Sequence, residues 1–154
     1  MGGYKNHADS TYLVAWDDQL VIKAGVTNKQ RWRTFCLRGA RLVLLHFSDA
    51  GPADTSDLEQ QVLAYLRGRL SYAFDANADA EPFLGHRGDG YLECYRARDR
   101  AEYLDALTAC SSIMLAHPTG ACSRTLRAHM HGRTRRTYGL TQNLQDARGK
   151  GNGV

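Results

Sequence analysis

Four side chains within the first 59 residues have the chemical types that a hydrolytic attack on a phosphodiester requires. They are the phenol of Tyr12, the ammonium of Lys23, the guanidinium of Arg31 and the carboxylate of Glu59. Such an attack needs a deprotonated water, a cation near the scissile oxygens and stabilisation of the charge on the phosphoryl group. The four groups could divide this work if the fold brings them together.

The first two of these residues are expected to face each other in a β-hairpin. Two β-rich runs, residues 11–16 and 19–24, are separated by Asp17 and Asp18, which is a turn signal. Pairing about this turn places Tyr12 opposite Lys23, with the two Cβ atoms about 5 Å apart on one face. An ammonium at that position favours the phenolate, so we expect Lys23 to lower the pKa of Tyr12.

The pattern after the hairpin predicts a short helix, a strand and a long helix. Asn28 is a good N-cap for a helix that Gly39 terminates. Residues 41–47 alternate as a strand that is apolar on both faces, and residues 54–70 contain an apolar helical stripe. The element order is therefore ββαβα.

The next part of the chain gives weaker signals. We expect residues 71–89 to be irregular, residues 91–96 to form a short strand or a ligand-facing loop, and Asp99 to cap a helix that runs to about Cys110. In strand 41–47, Leu42, Leu44 and His46 are predicted to share one side. His46 is better explained as a core histidine than as an auxiliary proton carrier.

Each candidate residue also has a purely structural explanation. Tyr12 suits a half-buried strand, Lys23 suits a strand edge, and Arg31 suits a solvated helix face. For Glu59 the alternative is specific, because Ser56 and Glu59 have the spacing of a capping box, in which the glutamate closes the first helical turn.

Several of these residues, taken in order, resemble the motifs of the GIY-YIG nuclease family over roughly residues 11–95. The matching positions are Ser10-Thr11-Tyr12 for the first motif, Lys23-Ala24-Gly25 for the second, Arg31 within QRWR, Leu58-Glu59-Gln60 at the glutamate helix and GYLEC at 90–94 for a GYTE-like segment. A GYTE-like segment, and a second motif that begins with lysine, are found in a phage-associated subgroup. Lys23 takes the place of the second motif's tyrosine.

The resemblance implies a fold and a reaction. The fold is a small α+β domain with a three-stranded antiparallel sheet flanked by helices in the order ββαβα. The reaction is metal-dependent hydrolysis of DNA that leaves a 5′-phosphate and a 3′-hydroxyl. Tyr12 would accept a proton from water, Arg31 would contact the phosphate, and Glu59 would hold one Mg²⁺ or Mn²⁺.

Positive charge is concentrated at the end of the chain. Residues 1–110 contain 13 Lys and Arg against 15 Asp and Glu, whereas residues 111–154 contain seven basic residues and Asp146 alone. Such a segment suits phosphate contacts or serves as a solubilising tail. The predicted nucleic-acid-binding residues are Lys29, Arg33, Arg124, Arg127, Arg133, Arg135 and Arg136.

Length and composition limit the class of protein. The 154 residues, with 43% hydrophobic and 23% charged side chains, fit one globular domain rather than a disordered chain. We expect a leader at 1–10, the domain at 11–110 and a basic, partly disordered extension at 111–154. The sequence shows neither a membrane span nor the hydrophobic core of a signal peptide, which favours the cytoplasm and reduced cysteines.

Two other functions remain open. The chain lacks the second tyrosine and the asparagine that follows the glutamate helix in many relatives, so it suits a nucleic-acid-binding module that has lost cleavage. A factor that targets a host protein is the third class. The expected partner is nucleic acid, DNA rather than RNA, and a protein partner or a homodimer stays open.

Overall fold

The fold is α+β, with a six-stranded antiparallel sheet and four α-helices among the described residues. The computed structural model describes residues 9–27 and 30–123. The strands are β1 Ser10–Trp16, β2 Val21–Thr27, β3 Arg41–Phe47, β4 Ser71–Tyr72, β5 Cys94–Arg96 and β6 Ala121–Ser123. The helices are α1 Trp32–Cys36, α2 Pro52–Arg69, α3 Asn77–Leu84 and α4 Arg100–Ala116, with short 3₁₀ turns at His86–Gly88 and Tyr91–Glu93.

The strand order is β4-β5-β2-β1-β3-β6, so the sheet is larger than the three strands predicted. The predicted element order ββαβα is present in β1, β2, α1, β3 and α2. The extra strands β4, β5 and β6 have two or three residues each. Of these, β5 lies within residues 91–96, which were expected to form a short strand or a loop and which form a 3₁₀ turn followed by this strand. β4 and β6 hold too few residues for an alternating pattern, which is why the sequence did not predict the larger sheet.

Hydrophobic side chains cover both faces of the sheet. On one face, Leu58 and Val62 of α2 and Tyr103 of α4 pack against the sheet. On the other, Trp32 and Phe35 of α1 pack against it together with residues of α3. All seven residues of β1 are buried as a result. Burial of each large apolar side chain contributes about 1.5–3 kcal/mol, so this double layer stabilises the strand that contains Tyr12.

The hairpin register differs from the predicted one. The loop comprises residues 17–20, and Trp16 pairs with Val21 instead of Gln19. Tyr12 therefore lies opposite Gly25, and the pairing predicted between Tyr12 and Lys23 is wrong. Because the shift is two residues, it preserves the alternation of faces, and both side chains remain on the same face of the sheet.

A bulge in β3 changes which of its residues share a face. Leu13 pairs with Leu44, but the next residue, Val14, pairs with Leu42, which leaves Val43 as an extra residue. Leu42 consequently packs on the α1 side and Leu44 on the α2 side. The prediction that Leu42 and Leu44 lie on one side of the strand is wrong.

Helix α2 begins earlier than predicted, and this removes one explanation for Glu59. Pro52 occupies the first turn after Gly51, in agreement with the preference for proline at that position. Ser56 and Glu59 lie inside the helix, and the N-terminus has no side-chain cap. The capping-box interpretation of Glu59 is therefore wrong.

Two further boundaries differ from the predictions. Helix α3 lies within residues 71–89, which were expected to be irregular, and Pro82 inside it explains why no helix was predicted there. Asp99 does cap α4, but the helix continues past Cys110 to Ala116 and so crosses the expected boundary at residue 110. The predicted cap Asn28 lies outside the described residues.

Polar contacts connect the segment after α4 to β3 and α2. His46 Nε2 lies 2.6 Å from the carbonyl oxygen of Thr119, and His117 Nε2 lies 2.9 Å from Asp54 Oδ1. Hydrogen bonds from Thr119 and from Ser48 lower the pKa of Asp54 to about 2. These contacts join β3, α2 and the segment that leads to β6.

The described helices include none with the length and apolar character needed to cross a bilayer.

Replacing Asp99 by alanine should destabilise the fold by about 1 kcal/mol, as loss of an N-cap usually does. Asp99 Oδ1 accepts a hydrogen bond from the backbone N–H of Glu102 at 2.9 Å. The measurement is the free energy of unfolding in urea. Asp105→Ala, at an exposed position of the same helix, is the control and should change it by less than about 0.5 kcal/mol. Equal destabilisation of both variants would contradict the capping role.

Candidate active site around a buried lysine

Lys23 is a charged side chain inside the protein, and it is the centre of the candidate site. Only 1% of the residue is exposed. Its Nζ lies 2.6 Å from Glu93 Oε1 and 3.5 Å from the carbonyl oxygen of Ala24. The centroids of the Tyr12 and Phe35 rings are each 5.5 Å from the same nitrogen. The ammonium thus has an ion-pair partner on one side and two aromatic rings around it.

The surroundings keep Lys23 protonated at neutral pH. Burial by itself would lower the pKa of Lys23, but the hydrogen bond to Glu93 and the interactions with Glu93 and with the ionised forms of Tyr12 and Cys94 outweigh it. The net effect raises the pKa above its ordinary value. Lys23 therefore supplies a permanent positive charge beside Tyr12.

Tyr12 lies across the backbone of its neighbouring strand. It is 1% exposed, and its ring centroid is 5.8 Å from that of Phe35. A Cβ added at Gly25 would collide with the Tyr12 hydroxyl, so the phenol occupies the space that a side chain at position 25 would need. The absence of a side chain at Gly25 is what allows Tyr12 to extend toward Lys23.

The pKa of Tyr12 is raised, contrary to the sequence-based expectation. Burial is the largest cause, and the charge of Glu93 acts in the same direction. The charges of Lys23 and Arg31 and a hydrogen bond from Lys23 lower the pKa, but by less. Lys23 does lower the pKa of Tyr12, but burial outweighs this effect, so the predicted net lowering is wrong.

Arg31 lies at the exposed rim of this cluster. It directly precedes α1, and its backbone N–H donates to Thr27 Oγ1 at 3.2 Å. The guanidinium carbon is 5.9 Å from the centroid of the Phe35 ring, whose other neighbours are Tyr12 and Lys23. This position is compatible with a contact between Arg31 and an anion that approaches from solvent.

Glu59 interacts electrostatically with the same cluster from helix α2. The residue is 7% exposed, and its Oε1 accepts a hydrogen bond from the Gln60 side chain at 3.4 Å. Burial raises the pKa of Glu59, and the charge of Glu93 raises it further, while Lys23 lowers it. Glu59 is therefore coupled electrostatically to Lys23 and Glu93, although α2 packs on the other face of the sheet from Tyr12 and Phe35.

The carboxylate of Glu59 fits a divalent cation of the magnesium type. It provides hard oxygen ligands, and a cation beside it would offset the burial that disfavours its ionised form. Mg²⁺ is commonly held by one or two carboxylates and keeps several waters. The described residues contain no group of three or more His, Cys, Asp or Glu side chains suited to a metal, so any ion would depend on water or substrate for its remaining ligands.

Glu93 was not predicted as a site residue. It belongs to GYLEC, residues 90–94, so the sequence did contain a signal, but only as part of a motif. The residue lies in a short 3₁₀ turn without periodicity and is 70 positions from Lys23. Its contact with Lys23 depends on the pairing of β5 with β2, which the local sequence did not predict.

His46, the possible auxiliary proton carrier, lies apart from this cluster. His46 is buried on the opposite face of the sheet, where its ring lies 5.2 Å from that of His117. Burial lowers the pKa of His46, and its Nδ1 has no hydrogen-bond partner among the described residues. This placement favours the core interpretation of His46.

The predicted nucleic-acid-binding residues fall into two groups. Arg33 is exposed on α1, with its guanidinium carbon 5.4 Å from the Trp32 ring centroid. The others lie outside the described residues, and they are Lys29, Arg124, Arg127, Arg133, Arg135 and Arg136.

Comparisons with known proteins identify no relative of this chain. No family model, curated protein or solved structure matches it. The functional argument therefore depends on the residues themselves and on their geometry.

Replacing Glu59 by glutamine should raise the free energy of unfolding at neutral pH. Because burial raises the pKa of Glu59, its ionised form weakens the fold, and stability falls as the pH rises from the ordinary value of 4.5 through the folded-state value. The gain should disappear below pH 4.5, where wild-type Glu59 is protonated in both states. Urea unfolding of both proteins at several pH values measures this.

The matched control for this variant is Glu81→Gln, at an exposed glutamate of α3. It should change the stability by less than about 0.5 kcal/mol at every pH. Destabilisation by Glu59→Gln at neutral pH would contradict the view that the Glu59 charge is under-compensated in the folded protein.

Proposed function

We propose that this protein is a metal-dependent endonuclease that hydrolyses phosphodiester bonds of DNA with a GIY-YIG-like site. The observation that supports this most is that Tyr12, Lys23 and Arg31 lie around the Phe35 ring. Glu59 of α2 interacts electrostatically with Lys23 of the same group. The element order ββαβα and the central strand order β2-β1-β3 agree with the same proposal.

In this proposal each side chain has one task. Tyr12 accepts the proton of the attacking water, and the Lys23 ammonium favours the phenolate that this requires. Arg31 binds the phosphate from the exposed rim. Glu59 holds the Mg²⁺ or Mn²⁺ ion, which when bound supplies positive charge to the phosphoryl oxygens and the leaving group. The products are a 5′-phosphate and a 3′-hydroxyl.

The proton affinity of Tyr12 has a direct consequence for the rate. Because the pKa of Tyr12 is raised, only a small fraction of the phenol is ionised at neutral pH. If the phenolate is the base, that fraction and the rate should increase about tenfold per pH unit through the alkaline range.

The test of the proposed function is incubation with plasmid, single-stranded DNA and RNA in Mg²⁺, Mn²⁺ or chelator. We expect cleavage of DNA that requires the metal and rises with pH, and loss of cleavage by at least about 100-fold in Tyr12→Phe and Glu59→Gln. Glu81→Gln, at an exposed position of α3, is the control that should cleave at the wild-type rate.

Two results would contradict the proposal. Glu59→Gln that cleaves at the wild-type rate in Mg²⁺ would remove the carboxylate assigned to the metal. A rate that does not depend on pH from neutral to alkaline conditions would exclude Tyr12 as the base.

A second candidate function, nucleic-acid binding without cleavage, has its own support. The phenol of Tyr12 remains protonated at neutral pH, and Lys23 is already paired with Glu93. Residues 124–154 contain seven basic residues and one acidic residue, which provides positive charge for phosphate contacts without any chemistry. Salt-sensitive binding with no cleavage in any metal would favour this function.

Ending the chain after Ser123 should weaken nucleic-acid binding and flatten its salt dependence. The cut removes the excess of positive charge but keeps β6, which pairs with β3. The slope of log affinity against log salt should become shallower by about 0.9 for each duplex phosphate that the basic segment neutralises. The control is a chain that ends after Thr141, which keeps all the basic residues from Arg124 to Arg136. Equal slopes for all three proteins would show that the basic segment does not bind phosphates.

A further inference from the structure

The ion pair between Lys23 and Glu93 joins a buried lysine to a partly exposed glutamate. Glu93 Oε1 is 2.6 Å from Lys23 Nζ, whereas the backbone oxygen of Ala24 is 3.5 Å away. The lysine is 1% exposed, but the glutamate side chain is 38% exposed. One partner is thus fixed inside the protein, and the other connects it to solvent.

The local backbone leaves room for this pair. Gly90, with φ of 91°, begins the turn that contains Glu93. A Cβ at Gly90 would lie 3.3 Å from Lys23 Nζ and 3.5 Å from Glu93 Oε1, so a side chain there would crowd both charges. Cys94, the residue after Glu93, is the β5 partner of Lys23 in the sheet. The turn and the strand together place the carboxylate over the ammonium.

The same ammonium also lies beside the candidate base. Its nitrogen is 5.5 Å from the centroid of the Tyr12 ring, and Tyr12 extends over Gly25 toward it. A lysine side chain has a flexible four-carbon stem, so without a fixed acceptor its ammonium would not stay in one position. Glu93 provides that acceptor.

We propose that Glu93 is a positioning residue for the hydrolysis proposed above, which holds the Lys23 ammonium against Tyr12 and thereby controls how readily Tyr12 accepts a proton. This inference depends on the proposed function for its catalytic consequence. Glu93 acts through Lys23 and needs no contact with the reacting phosphate.

Two substitutions of Glu93 distinguish the effect of its negative charge from the effect of its hydrogen-bond acceptor. Glu93→Gln keeps an oxygen that can accept from Lys23 but loses the negative charge that disfavours the phenolate of Tyr12. Its pH–rate profile should therefore move to lower pH. Glu93→Leu removes the acceptor, and its maximal rate should fall by about tenfold or more because Lys23 is no longer held in place.

A spectroscopic measurement tests the same contact without substrate or metal. The chain has four lysines, and a proton–nitrogen NMR spectrum of the ammonium groups should show Lys23 protected from exchange with water. Lys23→Met identifies the signal by its loss. The signal should persist in Glu93→Gln and in the control Glu81→Gln, and it should broaden or disappear in Glu93→Leu.

The outcomes distinguish this inference from the proposed function. Wild-type protein that cleaves no nucleic acid would contradict the function, and the NMR result alone would then decide whether Glu93 holds Lys23. An unchanged Lys23 signal in Glu93→Leu would overturn the positioning role. So would a pH–rate profile of Glu93→Gln that coincides with that of wild type, even if the variant unfolds more easily, because that would indicate a structural role only.

Discussion

A full positive charge lies within the sheet at Lys23, and the side chains around it compensate for its removal from water. Desolvation of an ammonium costs several kcal/mol in a protein interior. Glu93 offsets this cost at 2.6 Å, and the faces of Tyr12 and Phe35 add attraction at 5.5 Å. Replacing a buried ion pair with apolar residues is often neutral or stabilising, so fold stability alone gives no reason to keep a lysine here.

Burial has two opposite effects on the chemistry of this cluster. It strengthens every electrostatic interaction, because water no longer screens the charges. It also raises the pKa of Tyr12 and of Glu59, which makes both groups harder to ionise. A cation beside Glu59 would reverse the second effect for the carboxylate, and Lys23 already opposes it for the phenol. Without such a cation, burial favours the protonated forms of both groups.

Local patterns predicted several elements well. The strand at residues 41–47 was predicted with its observed bounds, because it contains a continuous run of apolar residues, and Asp99 was predicted as the cap of α4. These signals depend on neighbours within a few residues. The four candidate residues were also chosen from the sequence, although the proximity of Tyr12, Lys23 and Arg31 depends on the packing of α1 against the sheet.

The sequence did not predict features that depend on distant contacts. The hairpin register is one, because Asp17 at the start of the loop is held by Arg41 at 2.9 Å and by the Tyr103 hydroxyl, residues far away in the chain. The role of Glu93 is another, since it requires β5 to pair with β2. The net direction of the Tyr12 pKa shift depends on burial, which the pattern of one strand does not quantify.

The sheet register also fixes the distance between Tyr12, the candidate base, and the start of the basic segment. Tyr12 pairs with Leu45, and Leu45 pairs with Ser123, so the three residues lie in one row across β1, β3 and β6. Adjacent strands are about 4.8 Å apart, which places the backbone at Ser123 roughly 10 Å from that at Tyr12. The basic segment that continues from Ser123 therefore starts about three base-pair steps from the candidate base, given a rise of about 3.4 Å per step. Under the proposed function, this separation is shorter than one helical turn of a duplex.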